Sequence, residues 1–358
     1  MRSNVILRAN FVAEHIYTPS PSSRSTPIIQ ALNLSRSIVN PLNFKRLLSS
    51  FKMSDDQDFI RSFPSWAGTT FVPKLNRDVP ASLDPGQQSL PSPFVVVITG
   101  ASRGIGKAIA KAFAQAGATG LILTARTVEA LQETKEACEA VAKSSDLKIT
   151  TLSADNAAES SALLVAETIK KEHSGRLDLL VNNAGILNTD ESAFGKVGDI
   201  NSPNIETTIN VNYLGRFYMI KHLLPLILSG GSVTKAIVNI SSVGSHVSGP
   251  LGFSISALAT NRLSQRVAES YADQGVICCA VHPGAVKPEV PPPGMPARLL
   301  EMSHDSPSLC GAFLIWLVKE KRDWLNGRYL DATWDVEELE KKKEEIVEGD
   351  KLKMRLVV

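Results

Sequence analysis

Short apolar runs rich in Val, Ile and Leu recur between residues 94 and 331, separated by stretches whose apolar positions follow helical spacing. The runs 94–100, 121–125, 148–154, 177–182, 236–241, 276–281 and 328–331 read as strands. They are continuous rather than alternating, the pattern of strands buried on both faces of a parallel sheet. The segments 107–116, 128–143, 160–172, 205–229, 254–273 and 306–319 read as the helices between them, and Gly117 as the stop of the first. Such alternation requires right-handed crossovers. The expected fold class is therefore α/β, a single domain built on a doubly wound sheet of seven parallel strands with helices on both faces.

In a sheet of this kind ligands bind beyond the carboxyl ends of the strands, near the point where the strand order reverses. The polar motifs collect at those ends: the turn Thr99 to Gly106, then Asp155, Asn182-Asn183-Ala184-Gly185, Ser241-Ser242 and His282-Pro283-Gly284. The first, Thr-Gly-Ala-Ser-Arg-Gly-Ile-Gly, joins a strand to a helix. A junction of that type aims unpaired backbone N–H groups and the positive end of a helix dipole at one point, which suits a diphosphate. Gly100 permits the tight turn, Gly104 lets backbone approach the phosphates, and Gly106 lets the helix pack close to the strand.

Composition narrows the partners. A net charge of +2 gives no basis for nucleic acid or an anionic membrane surface, and no apolar run approaches the roughly 20 residues that span a bilayer. Cys138, Cys278, Cys279 and Cys310 form no CxxC pair and have no histidines at metal-ligand spacing, so they read as buried thiols of a reduced compartment, with no metal site.

The glycine turn, Asn182-Asn183-Ala184-Gly185, Asn212-Tyr213-Leu214-Gly215, Val238-Asn239-Ile240-Ser241-Ser242 and Pro283-Gly284 arrive in one order. In these motifs, over residues 94 to 334, the chain resembles the short-chain dehydrogenase/reductase family, in a divergent form of fungal type, with a Rossmann-type fold. The resemblance implies an alcohol or carbonyl oxidoreductase acting on a small molecule. It assigns cofactor contact to Gly100, Ser102, Arg103, Gly104, Ile105 and Gly106, and places Asp155 at the adenine ring. Asn183 and Gly185 would line the cleft, and Pro283-Gly284 would face the nicotinamide. Asn212 would hold a water of the proton relay and Ser242 would hydrogen-bond the substrate carbonyl. Helices matching 205–229 and 254–273 form the faces of homo-oligomers in related proteins. Asn183 and the strand-end serines also have a plain architectural reading, as bonders of local backbone groups.

Cofactor choice turns on the end of the second strand. An acid there would bind a ribose 2′-hydroxyl, whereas a 2′-phosphate prefers arginine. Here the strand runs into Arg126, and Arg103 lies in the glycine turn, so NADP(H) is expected over NAD.

The pattern breaks at the proton donor. The family uses a tyrosine, with a lysine four residues later that lowers its pKa and bonds the nicotinamide ribose. The matching segment reads Phe253-Ser-Ile-Ser-Ala257, so Phe253 and Ala257 stand at the tyrosine and lysine positions. Realignment supplies neither residue, because there is no tyrosine between Met219 and Ser270 and no lysine between Ala236 and Val286. Two readings follow: an oxidoreductase with an altered relay, or a catalytically inactive cofactor-binding or partner subunit. His246, in the loop after Ser242, and Lys287 are the candidate substitutes, each against the simpler reading of an exposed loop residue.

The flanks differ in composition. Residues 1–52 carry seven Lys or Arg, one acid and nine serines, and read either as an organelle presequence or as a disordered extension ahead of a start at Met53. The first reading implies a mitochondrial location, the second a cytoplasmic one. Residues 53–93 read as a Pro-rich arm on the domain surface with Phe63, Trp66 and Phe71 as anchors. Residues 94–334 form the dinucleotide-binding domain. Residues 335–358 form a charged helical tail capped by Asp335, and Pro288 to Pro296, with five prolines, reads as a stiff lid on the substrate side.

Overall fold

A computed structural model describes residues 63–356 apart from 188–189, 191, 194, 232–233, 248, 292–294, 296 and 302. The expectations for residues 1–52, and for the arm up to residue 62, lie outside the described residues.

Seven strands alternate with helices in the expected order: β1 Val95–Thr99, α1 Gly104–Gln115, β2 Gly120–Ala125, α2 Gln132–Glu139, β3 Lys148–Ser153, α3 Glu159–Glu172 and β4 Leu179–Asn182. Then follow α4 Ser202–Ile209, α5 Gly215–Ser229, β5 Lys235–Ile240, α6 Leu251–Tyr271, β6 Val276–His282, α7 Ala297–Glu301, α8 Pro307–Lys319 and β7 Tyr329–Asp331. Two short helices, α9 Val336–Lys341 and α10 Lys343–Glu348, close the described chain. The sheet order is β3-β2-β1-β4-β5-β6-β7 and every pairing within it is parallel. The order reverses between β1 and β4, which opens the ligand crevice at their carboxyl ends.

Away from the edge strand β3, which is polar and largely part-exposed, the sheet is buried from both sides, which is why its inner strands are mostly apolar. All five residues of β1 and all seven of β6 are buried. On one face α1 and α8 pack Ile109, Phe113, Phe313 and Leu317 against it. On the other, α3, α5 and α6 supply Val165, Ile169, Met219, Leu223 and Val267. Helix α8 is apolar around its whole circumference because the arm covers its outer side, with Val72, Leu83 and Leu90 joining the same core. All four cysteines are buried and unbridged.

Several boundaries differ from the sequence expectation. The helix expected over 128–143 is a 3-10 turn, Glu129–Leu131, followed by the short α2; Lys143 instead turns back and bonds the carbonyl of Ala114. The helix expected from residue 205 begins at Ser202, where Pro203 suits the first turn, and it carries a π-helical turn, Asn210–Leu214, before α5. Helix α6 starts three residues early, behind Pro250, and α7 was not anticipated. In the arm, Trp66 is 66% exposed and anchors nothing. The turn Ser65–Ala67 puts Ala67 inside and the indole outside. The anchors are Val72, Leu83 and Leu90, with Phe71 against Trp334 at 5.5 Å between rings. Asp335 caps α9 with its side chain, accepting from the amides of Glu337 and Glu338. Among the described residues no helix is long and apolar enough to cross a membrane.

Candidate cofactor and substrate site

The glycine turn is stitched to the end of β4. Thr99 Oγ1 accepts from the amides of Asn183 and Ala184, and Asn183 Nδ2 donates to the carbonyls of Thr99 (2.9 Å) and Gly100 (3.0 Å). The Asn183 side chain is thus committed to holding the turn. Gly100 has φ +66°, and a Cβ on it would come 2.9 Å from Ala184 Cα. A Cβ on Gly106 would lie 2.3 Å from the Gly100 carbonyl oxygen and 2.5 Å from Asn183 Nδ2, so no side chain fits there without moving backbone.

Gly104, the first residue of α1, has open space where a Cβ would be, and its N–H donates to Glu289 Oε1 at 3.0 Å. An anionic oxygen therefore already rests on the helix terminus that a diphosphate would use. Ser102 and Ile105 are half-buried beside it, while Arg103 and Arg126 are exposed. Among the described residues neither guanidinium pairs with a carboxylate. Asp155 is exposed at the end of β3, where its Oδ1 accepts from the amide of Ala157. These residues fit a dinucleotide: a glycine cradle closed to side chains at Gly100 and Gly106, a helix terminus whose Gly104 amide already holds an anionic oxygen, and two exposed cations without carboxylate partners among the described residues, Arg103 in the turn and Arg126 after β2.

Across the switch point, Pro283 and Gly284 are buried at the end of β6. Gly284 has φ +94°, and Asp305 braces the turn by accepting from the Ala285 amide at 2.6 Å. Arg77 of the arm in turn bonds Asp305 at 3.1 Å, so the arm supports this edge of the site.

Ser242 is half-buried after β5. Its Oγ accepts from the Gly244 amide at 3.0 Å, and its own proton has no partner among the described residues. Phe253, on the first turn of α6, presents its ring edge to the same spot: a Cβ on Gly244 would lie 3.3 Å from Ser242 Oγ and 3.4 Å from Phe253 Cε1. Ala257 is buried one turn further on. Asn212 sits in the π-helical turn, accepting from the Ile186 amide (2.8 Å) and donating to its carbonyl (2.9 Å) and to Ser256 Oγ (3.3 Å). Its side chain braces the loop after β4. Gly185 lies against it, 3.4 Å from Asn212 Oδ1 to where a Cβ would stand. A small cleft, with room for about one water, opens beside Phe253, walled by Ile200, Ile205, Thr208 and Leu251, with Asp190 and Asn204 bonded to each other at its polar side.

The two candidate substitutes stand apart from this arrangement. His246 packs edge-on against Tyr329, 4.5 Å between rings, and burial together with nearby His282 pushes its pKa down to about 4, so its ring is neutral rather than an imidazolium acid at neutral pH. Lys287 is exposed. Two residues that the sequence reading passed over touch the site instead. Glu289 is an acid inside the proline-rich segment, and Arg216 is a cation four residues after Asn212, at a buried position of α5, whose other cationic side chains, Lys221 and His222, pair with Glu159. That spacing was the available signal for the second.

Comparison with known proteins agrees with this geometry. Residues 94–293 match the family model for short chain dehydrogenases. The chain is 40% identical over 313 residues to the short chain dehydrogenase pgmD of Aspergillus terreus, covering 82% of this chain and 96% of that protein. It is 39% identical over 305 residues to the short chain dehydrogenase citE of Monascus ruber, covering 83% and 100%. Among solved structures, a putative short-chain alcohol dehydrogenase from Sinorhizobium meliloti superposes with TM-score 0.60 at 26% identity, covering 68% of this chain and 96% of that one. A 3-oxoacyl-[acyl-carrier protein] reductase with bound NAD from Brucella melitensis shares the fold at TM-score 0.57 and 22% identity, over 71% and 94%. The chain belongs to the short-chain dehydrogenase family of nicotinamide-dependent oxidoreductases.

Proposed function

We propose that this chain binds NADP(H) and works on the carbonyl–alcohol couple of a small molecule, through a site without the tyrosine and lysine of the family's proton relay. The observation that carries the cofactor reading is the pair of exposed guanidiniums, Arg103 and Arg126, flanking the glycine turn with no carboxylate partner among the described residues. A free arginine at the end of β2, with a second in the glycine turn, favours a 2′-phosphate over a bare ribose hydroxyl.

Bound NADPH supplies the hydride that a carbonyl carbon accepts. The chain's own part is to orient and polarise. Ser242 holds its Oγ against the Gly244 amide, which leaves the hydroxyl proton to donate to the carbonyl oxygen. Phe253 sets an apolar ring beside Ser242, without a proton to give. The product oxygen then takes its proton from water. A positioned general acid is worth about 10²- to 10⁴-fold, so turnover is slower by that order than with a tyrosine in place.

The second reading, a cofactor-binding protein or partner subunit without turnover, is favoured by one observation: both relay positions are apolar and Ala257 is buried. NADPH titration followed by NADPH-oxidation assays over a panel of ketones and quinones separates the two. The wild type is compared with Phe253→Tyr, alone and combined with Ala257→Lys. Measurable wild-type turnover, raised by Phe253→Tyr, is the expected result. Tight binding with turnover only in the variants establishes the second reading, and failure to bind NADPH overturns both.

A further inference from the structure

Arg216 stands at the second position of α5 and is only 5% exposed. Its Nη1 donates to Thr260 Oγ1 of α6 at 2.8 Å, and its Nη2 lies 3.6 Å from where a Cβ on Gly185 would be. Its Nε is buried with no partner. Among the described residues no carboxylate pairs with it. Burial pulls its pKa down only to about 10, so it remains a cation at neutral pH. A buried, unpaired charge is costly, and folds retain one where something outside the fold compensates it.

Its surroundings indicate what that is. Thr260, which holds the guanidinium, lies one helical turn after Ala257, and Ser256, next to Ala257, bonds Asn212 one turn before Arg216. Arginine side chains lean toward the N-terminus of their helix, here toward the carboxyl edge of the sheet. The guanidinium therefore lies beside Gly185, held by a threonine one turn along α6 from Ala257. With a diphosphate on the turn after β1, one half of a dinucleotide extends over β2 and β3 toward Arg126 and Asp155. The other half extends over β4, past Gly185.

We propose that Arg216 is the fixed cation of the nicotinamide half of this site, donating from Nη2 to the ribose oxygens beside Gly185 and holding the place an ammonium at position 257 would take. The proposal rests on the dinucleotide reading above. It also makes the alanine at 257 part of a rearranged site, because a lysine there would press a second cation against the first.

The test measures binding of NADPH and of 2′,5′-ADP, which fills only the adenosine half, to the full chain. The proteins are wild type, Arg216→Lys, Arg216→Met and Arg216→Met/Ala257→Lys, with melting temperatures as the folding control. Arg216→Met weakens NADPH about tenfold or more and leaves 2′,5′-ADP within twofold. Arg216→Lys and the double variant recover NADPH binding to within threefold of wild type. A merely structural role would shift both ligands together, and that result overturns the proposal, as does an Arg216→Met variant that binds NADPH like wild type. If Arg216→Met does not fold, the double variant decides: NADPH binding recovered supports the proposal, and a double variant that fails to fold or to bind NADPH overturns it. If the wild type itself does not bind NADPH, the dinucleotide reading has failed, and this proposal with it.

Discussion

Glu289 Oε1 accepts a 3.0 Å hydrogen bond from the backbone N–H of Gly104, so a carboxylate from the proline-rich segment occupies the helix terminus on which a diphosphate would rest. The glycine cradle keeps its shape because Asn183 and Thr99 fix it from beneath, independently of what lies on top. On the proposed reading Glu289 and a phosphate oxygen would compete for one donor, and a phosphate bound there would displace the carboxylate.

Removing that competitor strengthens binding. A carboxylate at an exposed helix N-terminus contributes about 0.3–1 kcal/mol, so Glu289→Gln and Glu289→Ala are expected to lower the Kd for NADPH roughly two- to fivefold. Titration by calorimetry or by nicotinamide fluorescence reads this directly. Affinity unchanged or weakened in both variants would show that the carboxylate does not compete with the cofactor.

The proposed preference for NADP(H) rests on Arg126 and Arg103. Charge-assisted bonds to a 2′-phosphate are worth about 1.5–3 kcal/mol each. Arg126→Ala should therefore raise the Kd for NADPH by one to two orders of magnitude and leave that for NADH within about twofold. Arg103→Ala should act in the same direction, with some loss for both cofactors because Arg103 immediately precedes α1, beside the place proposed for the diphosphate. Equal losses for NADPH and NADH in Arg126→Ala would remove the basis for NADP(H) preference.

Much of this architecture was legible in the chain. Strands buried on both faces must be apolar throughout, so β1, β2, β5 and β6 announced themselves, and the glycine turn marked where β1 hands over to α1. What escaped depends on tertiary contacts. Trp66 looked like an anchor by type, yet the turn at Ser65–Ala67 sends it to solvent and gives the anchoring to Val72 and Leu83. Helix limits near residues 128 and 202 followed from long-range bonds and from a π-helical turn that no local pattern encodes. Arg216 and Glu289 escaped because each acts on a segment distant in sequence, at Gly185 and Gly104.

Self-association should run through α5 and α6. Phe217, Ile255 and Leu258 are 40%, 45% and 39% exposed, and Ile255 and Leu258 share one face of α6 at i,i+3 spacing. A second copy related by a two-fold axis would bury this face against itself. Ile255→Glu/Leu258→Glu is expected to convert the wild-type oligomer to a smaller species by light scattering after size exclusion. A wild type already monomeric at micromolar concentration would refute the interface.

The buried imidazole of His246 makes stability acid-sensitive. Burial first, and His282 second, bring its pKa to about 4 in the folded chain, against about 6.5 when unfolded. The folded state thus favours the neutral ring, and as pH falls the unfolded chain takes up the proton first. The contribution is complete above pH 6.5, is lost between 6.5 and 4, and below 4 no longer changes. At about 1.4 kcal/mol per pH unit over about 2.5 units the loss reaches roughly 3–3.5 kcal/mol. His246→Phe keeps a ring against Tyr329 and cannot be protonated, so its unfolding free energy from urea titrations should fall less than that of the wild type between pH 7 and pH 4.5. Some slope remains from His173, whose pKa is also lowered by burial. Identical pH dependence in variant and wild type would mean that His246 is not the group that senses acid.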